Sequence, residues 1–521
     1  MTTSDRNDPA LTTRYRNGRV YSPDGPAATA LIVADGRIVW LGGDAAAAGR
    51  PADRTVDLAG GWVTPAFVDA HVHATDTGIT LLGLDLAGST SRTAVLDAVA
   101  AHAAALAGDA VVLGHGWDES AWTDQRPPTA QELARAGAGR AVYLAQACVH
   151  SAVVSPPLLA RVPPDSPGYD KGGWLRRDAH HVARSLAHGS LGAVQRRDGQ
   201  LAALRRAASL GIAAVHECGG PGTSSERDFV TLLGLPADGG LPAVSGYWGE
   251  LGAAVKAREL GAVGAGGDLY ADGALGSRTA HLRAPYSDAD GGSGHGYVTT
   301  GQVADHVVDC VRVGVQAGFH AIGDAAISTV LDGFAVAAGV VGVAAVRAGR
   351  HRVEHLELLD DQHMRRLVEY GVTASMQPAF DRLWGGEHAM YAQRLGVHRS
   401  LASNPLAAMA SAGVALAFGS DSPVTPLDPW GSVRAAVTHH NPASRISVPA
   451  AFAAHTRGGW RAASGDTPGG PDDPTHLDGR LVAGAPASFA VWDRQFHPDA
   501  AVPVCLRTVL RGEVIYDVEE T

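Results

Sequence analysis

From Gly61 to about Pro426 the chain repeats one pattern: a short apolar run, a polar or glycine-rich loop, then an alanine- and leucine-rich amphipathic stretch. Short apolar runs bounded by turn signals read as strands buried on both faces, and their alternation with amphipathic stretches is that of βα units around a parallel sheet. Eight runs qualify: WVTPAFVDAHVH, GIAAVHECG, PAVSGYW, GDLYADG, AGFHAIGD, HRVEHLE, GVTASMQP and VALAFGSDSP. Eight units predict a closed (β/α)8 barrel of the TIM type. The two ends follow a different pattern. ALIVADGRIVWLGG near the start, and PASFAVWD and CLRTVLRGEVIYD near the finish, are short β-branched runs broken by DG, GG or RGE, which predict antiparallel hairpins. Neither end holds enough strands to bury a face, so together they predict one small β-sandwich domain built from both termini. The expected organisation is residues 1–60 and 471–521 in the sandwich and residues 61–470 in the barrel. Between about Leu84 and Leu201 the series is interrupted by AVVLGHGWD, AVYLAQACVH and the proline-rich SPPLLARVPPDSPG, an expected insertion after the first strand that could cover the barrel mouth.

Chemistry collects at the ends of the predicted strands. The first run closes on His71-Val72-His73, and strand alternation puts both imidazoles on one face. The fifth run closes at His320, the sixth at His355, and the eighth at Asp421. One histidine after an apolar run is more often a hydrogen-bonded core or loop residue than a ligand. A parallel barrel, however, brings all its C-terminal strand ends to one mouth, so four imidazoles and a carboxylate converge there from distant positions. Those are the donors that hold zinc and similar divalent ions.

Composition narrows the partners. The 521 residues carry 42 Lys+Arg against 53 Asp+Glu, a net charge of −11, without a basic block. Clustered cations supply most of nucleic-acid affinity, so nucleic acid is excluded and a small-molecule substrate expected. The most apolar window, Gly333 to Val346, is too short to span a bilayer and the N-terminus lacks a signal pattern, so a cytoplasmic protein with no membrane contact is expected. Cys148, Cys218, Cys310 and Cys505 have no paired metal spacing and read as small apolar residues of a reducing compartment. Homo-oligomerisation is left open.

The motifs TPAFVDAHVH, LGHGWDES, ADGALGSRTA, FHAIGDAAI, RVEHLE, SMQPAF, FGSDSPVTPLDPW and DGRLVAGAPASFAVWD resemble the amidohydrolase superfamily, in its group of YtcJ-like and N-substituted formamide deformylase-like enzymes. The resemblance implies the same barrel and sandwich. It implies His71 and His73 as first-strand ligands, His320 and His355 as fifth- and sixth-strand ligands, and Asp421 as ligand and general base. Many such enzymes carry a carboxylated lysine on the fourth strand that bridges two metals. Here that position is Asp268; the chain's two lysines, Lys171 and Lys256, lie elsewhere. Asp268 is therefore a ligand or a hydrogen-bond partner of one, and a single tight ion is expected, most simply Zn2+, with a weak second ion at most. Glu217 reads as a rim carboxylate or ligand partner before it reads as a ligand, and Asp324 as a helix N-cap before a catalytic group.

This ligand set implies a hydrolase acting on a C–N bond, amide or formamide, through a metal-activated water. A hydrolytic deaminase of an aminated ring, and a metal-free binding protein on a degenerate barrel, are the alternatives. Arg278 and Asp272, after the fourth strand, and Trp117 and His150 with Asp118, in the insertion, are candidate substrate contacts; Trp384 is a candidate pocket wall.

Overall fold

The computed structural model describes residues 11–22, 27–119, 122–123, 126–146, 151–289, 291–463 and 479–519. Eight parallel strands form one sheet in chain order: β1 (Phe67–Val72), β2 (Ile212–Gly219), β3 (Ala243–Trp248), β4 (Gly264–Ala265), β5 (Gln316–Ala321), β6 (Arg352–His355), β7 (Thr373–Met376) and β8 (Ala415–Phe418). Hydrogen bonding returns from the end of β8 to β1. The Asp421 amide donates to His71 O at 2.8 Å and the His73 amide to Ser422 O at 2.9 Å, which closes the barrel. Gly419 makes that closure sterically feasible, because a Cβ there would lie 2.4 Å from the His71 nitrogen.

Two predicted strands are drawn differently by the structure. The run WVTPAFVDAHVH divides: Trp62–Pro65 pairs antiparallel with Phe489–Trp492 in another sheet, and β1 begins at Phe67. Proline has no N–H for a ladder, and Pro65 stands where the chain leaves one sheet for the next. The fourth strand is the two-residue Gly264–Ala265 rather than GDLYADG, since Gly267 at φ 75° takes the chain off the extended path. Only an isolated bridge from Tyr270 to His320 carries the pairing further.

Both ends of the chain build the sandwich. One sheet runs in the order Arg37–Gly42, Ala30–Ala34, Thr13–Arg16, Arg54–Asp57; the other in the order Arg19–Val20, Trp62–Pro65, Phe489–Trp492, Cys505–Leu510, Glu513–Asp517. Tyr15, Leu31, Val33, Ile38 and Val63 share a buried core with Phe489, Val491 and Val509. Positions 471–478, where the C-terminal part was expected to begin, lie outside the described residues.

The insertion is a compact unit of its own, Ala74–Ala203, beginning earlier than the Leu84 expected. Its five-stranded sheet has the order Trp174–Arg176, Ser151–Val154, Val142–Gln146, Val112–Trp117, Leu84–Asp85. The helix Ala74–Leu82 belongs to it: Gln200 Nε2 donates to Thr75 Oγ1 at 3.0 Å, and Gly78 lies so close to Gly199 that a Cβ would fall 1.7 Å from its carbonyl oxygen.

Helix Asp324–Val341 is, among the described residues, the one long and apolar enough to cross a membrane by length and composition. In the barrel its buried face, with Ile327, Val330, Leu331 and Phe334, packs on β5, the Phe334 ring edge-on to Phe319, and Gly342 at φ 88° ends it. Just ahead of β6, His351 is fully buried; its Nδ1 accepts the Ala317 amide at 2.8 Å and its ring packs on Phe334. Burial and the nearby His306 push its pKa down to about 3. The folded state thus refuses a proton that the unfolded chain takes below its ordinary pKa. Stability from this group is complete above about pH 6.5 and is lost as pH falls toward 3, by roughly 2 kcal/mol at pH 5. Urea unfolding between pH 8 and 5 should show that slope, and His351→Gln, which keeps an acceptor but cannot charge, should flatten it; an unchanged slope would contradict the assignment.

Candidate metal centre

His71 and His73 leave β1 on the same face, as their two-residue spacing requires. His355 and Asp421 are reached differently. Their φ angles, 72° and 57°, lie in the left-handed region, and Leu356 follows at 47°. Such non-glycine conformations cost of order 1–3 kcal/mol each and persist where the surroundings over-determine them. Neighbours in an extended strand point to opposite faces, so the left-handed backbone at His355 is what lets Glu354 and His355 serve one cluster. Behind them Asp69 Oδ1, buried, accepts the amides of His71 at 3.2 Å and Ser420 at 2.9 Å and locks the ends of β1 and β8 together.

The donors meet at coordination spacing. His73 Nε2 lies 3.1 Å from Asp268 Oδ2 and 3.2 Å from Asp421 Oδ1; His71 Nε2 lies 3.4 Å from Asp421 Oδ1 and 3.5 Å from Asp268 Oδ1. Two ligands about 2.05 Å from one tetrahedral ion are separated by about 3.3 Å. His355 Nε2 is 3.8 Å from Asp268 Oδ1, and Asp268, His320 and His355 form an adjoining group of donors. Asp268 thus belongs to both halves of the cluster. His71 Nε2, Asp268 Oδ1, Asp421 Oδ1 and His320 Nδ1 are buried and have no hydrogen-bond partner. Unpaired buried atoms are costly, and a cation shared among them removes that cost. Electrostatics agree. Burial opposes a charge on His73, yet Asp268 and Asp421 hold its pKa well above the ordinary histidine value. Burial likewise opposes the Asp268 carboxylate, and His71, His355 and His73 hold it well below the usual range. The pocket attracts positive charge.

A buried ion pair aims His71. Glu354 Oε2 accepts Nδ1–H of His71 at 2.7 Å, which leaves Nε2 as a lone-pair donor. Glu354 is gripped by Arg352, Nε to Oε1 at 2.6 Å and Nη2 to Oε2 at 2.8 Å, and neither residue is exposed. Arg352 also donates to Ala70 O, to Ser375 Oγ at 2.8 Å and to His216 Nδ1 at 3.0 Å, and lies on the Tyr247 ring at 4.3 Å. Burial raises the Glu354 carboxyl, but the guanidinium and His71 hold it far below the usual carboxylate range. His355 is oriented in the same way, its Nδ1 2.7 Å from Gln377 Oε1. Cys218 joins His71 and Glu354 in a further group of donors, but burial pushes its thiol up and Glu354 is already engaged.

The structure therefore brings His71, His73, Asp268, His320, His355 and Asp421 together. Other candidates go elsewhere. Asp272 is fully buried and its oxygens accept the amides of His281, Ile322 and Gly323, so it organises the loop after β4. Burial raises its pKa to about 6 against those three bonds. Arg278 is held bidentate by Asp288, at 2.9 and 2.8 Å, and clamps the same loop. Trp117 is fully buried in the insertion core with its indole N–H on Leu144 O, a packing role; Asp118 is exposed. His150 lies outside the described residues. Glu217 is buried on β2 and, among the described residues, is in none of the donor groups. Asp324 is the first residue of its helix, one past the N-cap Gly323, and accepts the Arg283 amide. Trp384 stands two rings out from His355, packed on Phe380. Lys256 is ion-paired with Glu226 and Glu250 and Lys171 is exposed, so neither replaces Asp268.

Sequence reasoning passed over Arg352 and Glu354, although their two-residue spacing inside an apolar run was the available signal: it puts two opposite charges on one face of a buried strand. It also passed over Tyr270, whose hydroxyl lies 3.3 Å from Asp268 Oδ2.

Imidazoles and carboxylates converging on the C-terminal mouth of a βα barrel define a metal-dependent hydrolase. The comparisons with known proteins agree: residues 54–516 match the Amidohydrolase family, and the chain belongs to it. It is similar to the Bacillus subtilis (strain 168) protein named as an amidohydrolase, YtcJ, with 25% identity covering 96% of this chain and 99% of that one. It is also similar to protein LONG AFTER FAR-RED 3 of Arabidopsis thaliana, with 26% identity covering 96% and 91%. Among solved structures, an uncharacterized metal-dependent hydrolase from Pyrococcus furiosus superposes with a TM-score of 0.76 at 26% identity, over 93% of this chain and 99% of that one.

Glu354→Gln should lower metal affinity about 10- to 100-fold by releasing His71, and Asp268→Ala should lower it further. Glu354→Gln also strands a buried guanidinium, at a cost of about 3–5 kcal/mol in stability. The double variant Arg352→Met/Glu354→Gln should recover much of the stability but not the affinity. Titration of the apo-proteins with zinc, beside thermal unfolding, checks both; wild-type affinity in Glu354→Gln would contradict the orienting role.

Proposed function

We propose that this protein hydrolyses a C–N bond, amide or formamide, of a small molecule, with one tightly held Zn2+ served by His71, His73, Asp268 and Asp421. The observation that carries this reading is Asp421 Oδ1: buried, without a hydrogen-bond partner, and 3.2 and 3.4 Å from the two β1 imidazoles. Nitrogen and oxygen donors at tetrahedral spacing suit zinc. The charge balance supports a single ion. Asp268, Asp421 and Glu354 against Arg352, with neutral imidazoles, leave two negative charges, which one divalent cation cancels. His320 and His355 are left to complete that site or to hold water, substrate or a weak second ion. Because Asp268 is itself a carboxylate, loading needs no added CO2.

When bound, the ion supplies a water of lowered pKa and polarises the substrate carbonyl. Asp421 takes the proton of that water as its oxygen bonds to the carbonyl carbon, and delivers it to the nitrogen as the C–N bond breaks. The net change is addition of one water, giving an acid and an amine. Glu354 keeps His71 from rotating through that cycle, and Gln377 does the same for His355. A ring deaminase would use the same residues and release ammonia. The converged donors speak against a metal-free binding protein. A cytoplasmic location and a small-molecule substrate belong to the same reading.

Asp421→Asn should lose turnover by about 10²–10⁴-fold while still binding zinc at equal or weaker affinity, measured on a panel of N-formyl and N-acyl amines with product analysis. Substantial residual turnover would move the base elsewhere, and ammonia as the product would favour deamination. Elemental analysis should find close to one tight equivalent; two of similar high affinity would contradict the single-ion reading.

A further inference from the structure

The donors that converge at the mouth are lone-pair groups: imidazole nitrogens whose N–H bonds, at His71 and His355, are turned away, and two carboxylates. A carbonyl oxygen that gains negative charge as water adds needs the opposite, a hydrogen-bond donor placed where the charge develops. Arg278 is engaged by Asp288, and Asp272 by three amides. Tyr270 brings an O–H to the cluster. We propose that Tyr270 is a catalytic residue, its phenol donating a hydrogen bond to the carbonyl oxygen of the substrate and to the oxyanion formed from it. This rests on the C–N hydrolase reading above.

Three features of the geometry carry the assignment. The first is fixed position: on either side of Tyr270 the backbone is tied to His320, the Ala271 amide to His320 O and the His320 amide to Leu269 O, each at 2.9 Å. The Tyr270 ring stands edge-on to the His320 ring, with centroids 4.8 Å apart at 64°. The second is access: Tyr270 is 40% exposed although its hydroxyl reaches Asp268, so it spans solvent and ligand cluster. The third is availability. The Oη to Oδ2 distance of 3.3 Å is long for an O–H donor, which ordinarily sits about 2.7–2.8 Å from its acceptor, and Oδ2 is also approached by His73 at 3.1 Å. The phenol oxygen is fixed, and its weakly engaged O–H can rotate about the C–O bond to a better acceptor. With one ion serving both the water and the carbonyl, the phenol adds a donor at the oxygen where the charge develops. The O–H bond stays intact; the proton that reaches the leaving nitrogen comes from water by way of Asp421.

Tyr270→Phe removes the donor and keeps the ring. The probe is methylphosphonate, a stable tetrahedral oxyanion, titrated calorimetrically into zinc-loaded protein. Wild type should bind it, and Tyr270→Phe should bind it at least about 10-fold more weakly while its zinc affinity stays within about threefold of wild type. With an amide substrate, kcat should fall about 10²–10³-fold with KM little changed. Equal phosphonate affinity in the two proteins, or no phosphonate binding by either, would overturn the assignment. A parallel loss of zinc affinity would overturn it too, reducing Tyr270 to a positioning residue for Asp268. Discrimination against the variant in a protein that hydrolyses no C–N substrate would uphold the donor and remove the reaction class instead.

Discussion

The bond from His71 Nδ1 to Glu354, with Arg352 behind it, is the interaction on which the rest of the site depends. TIM-type barrels ordinarily fill their interior with branched apolar side chains; here a guanidinium and a carboxylate stand there, both fully buried. Taking such charges out of water is expensive, and the expense is offset only where every donor and acceptor is met. Arg352 meets this condition by reaching several strands at once: Ala70 on β1, His216 on β2, Tyr247 on β3, Glu354 on its own strand and Ser375 on β7. The pair holds His71 in one tautomer and one orientation, and through His71 it fixes where the remaining ligands must converge.

The mouth above this pair is held in strained but constrained conformations. Left-handed backbone at His355 and Asp421 turns both side chains inward, and Asp69 together with Gly419 brings β8 against β1 closely enough for Asp421 to join the β1 imidazoles. Asp268 stands on the irregular segment after the very short β4. That segment is tied to β5 by the backbone of His320 and, further on, by the carboxylate of Asp272. The loop polar residues thus work on the backbone, and the strand-end residues face the chemistry.

Much of this was legible in the sequence. Two-residue spacing put His71 and His73 together, and strand ends collected His320, His355 and Asp421, because alternation and parallel topology are local rules that survive folding. Even the lysine replacement at Asp268 could be read, with its carboxylate as a candidate ligand. Less legible were the partners of the loop residues. Asp272 and Arg278 carry charges that suit a substrate, but the structure directs them to backbone amides and to Asp288. Trp117, a candidate substrate contact by sequence, lies buried in the insertion core. The extent of β4, and the entry to the insertion at Ala74, depended on Gly267 leaving the extended region and on helix Ala74–Leu82 packing with Gln200 and Gly199. No periodicity carries those contacts.

The most direct test of the single buried metal centre is a crystal structure of zinc-loaded protein with anomalous diffraction on both sides of the zinc edge. One strong peak is expected, bounded by His71 Nε2, His73 Nε2, Asp268 and Asp421, with His71 Nδ1 still on Glu354. Two peaks of equal strength on either side of Asp268, or a peak away from these four residues, would contradict it.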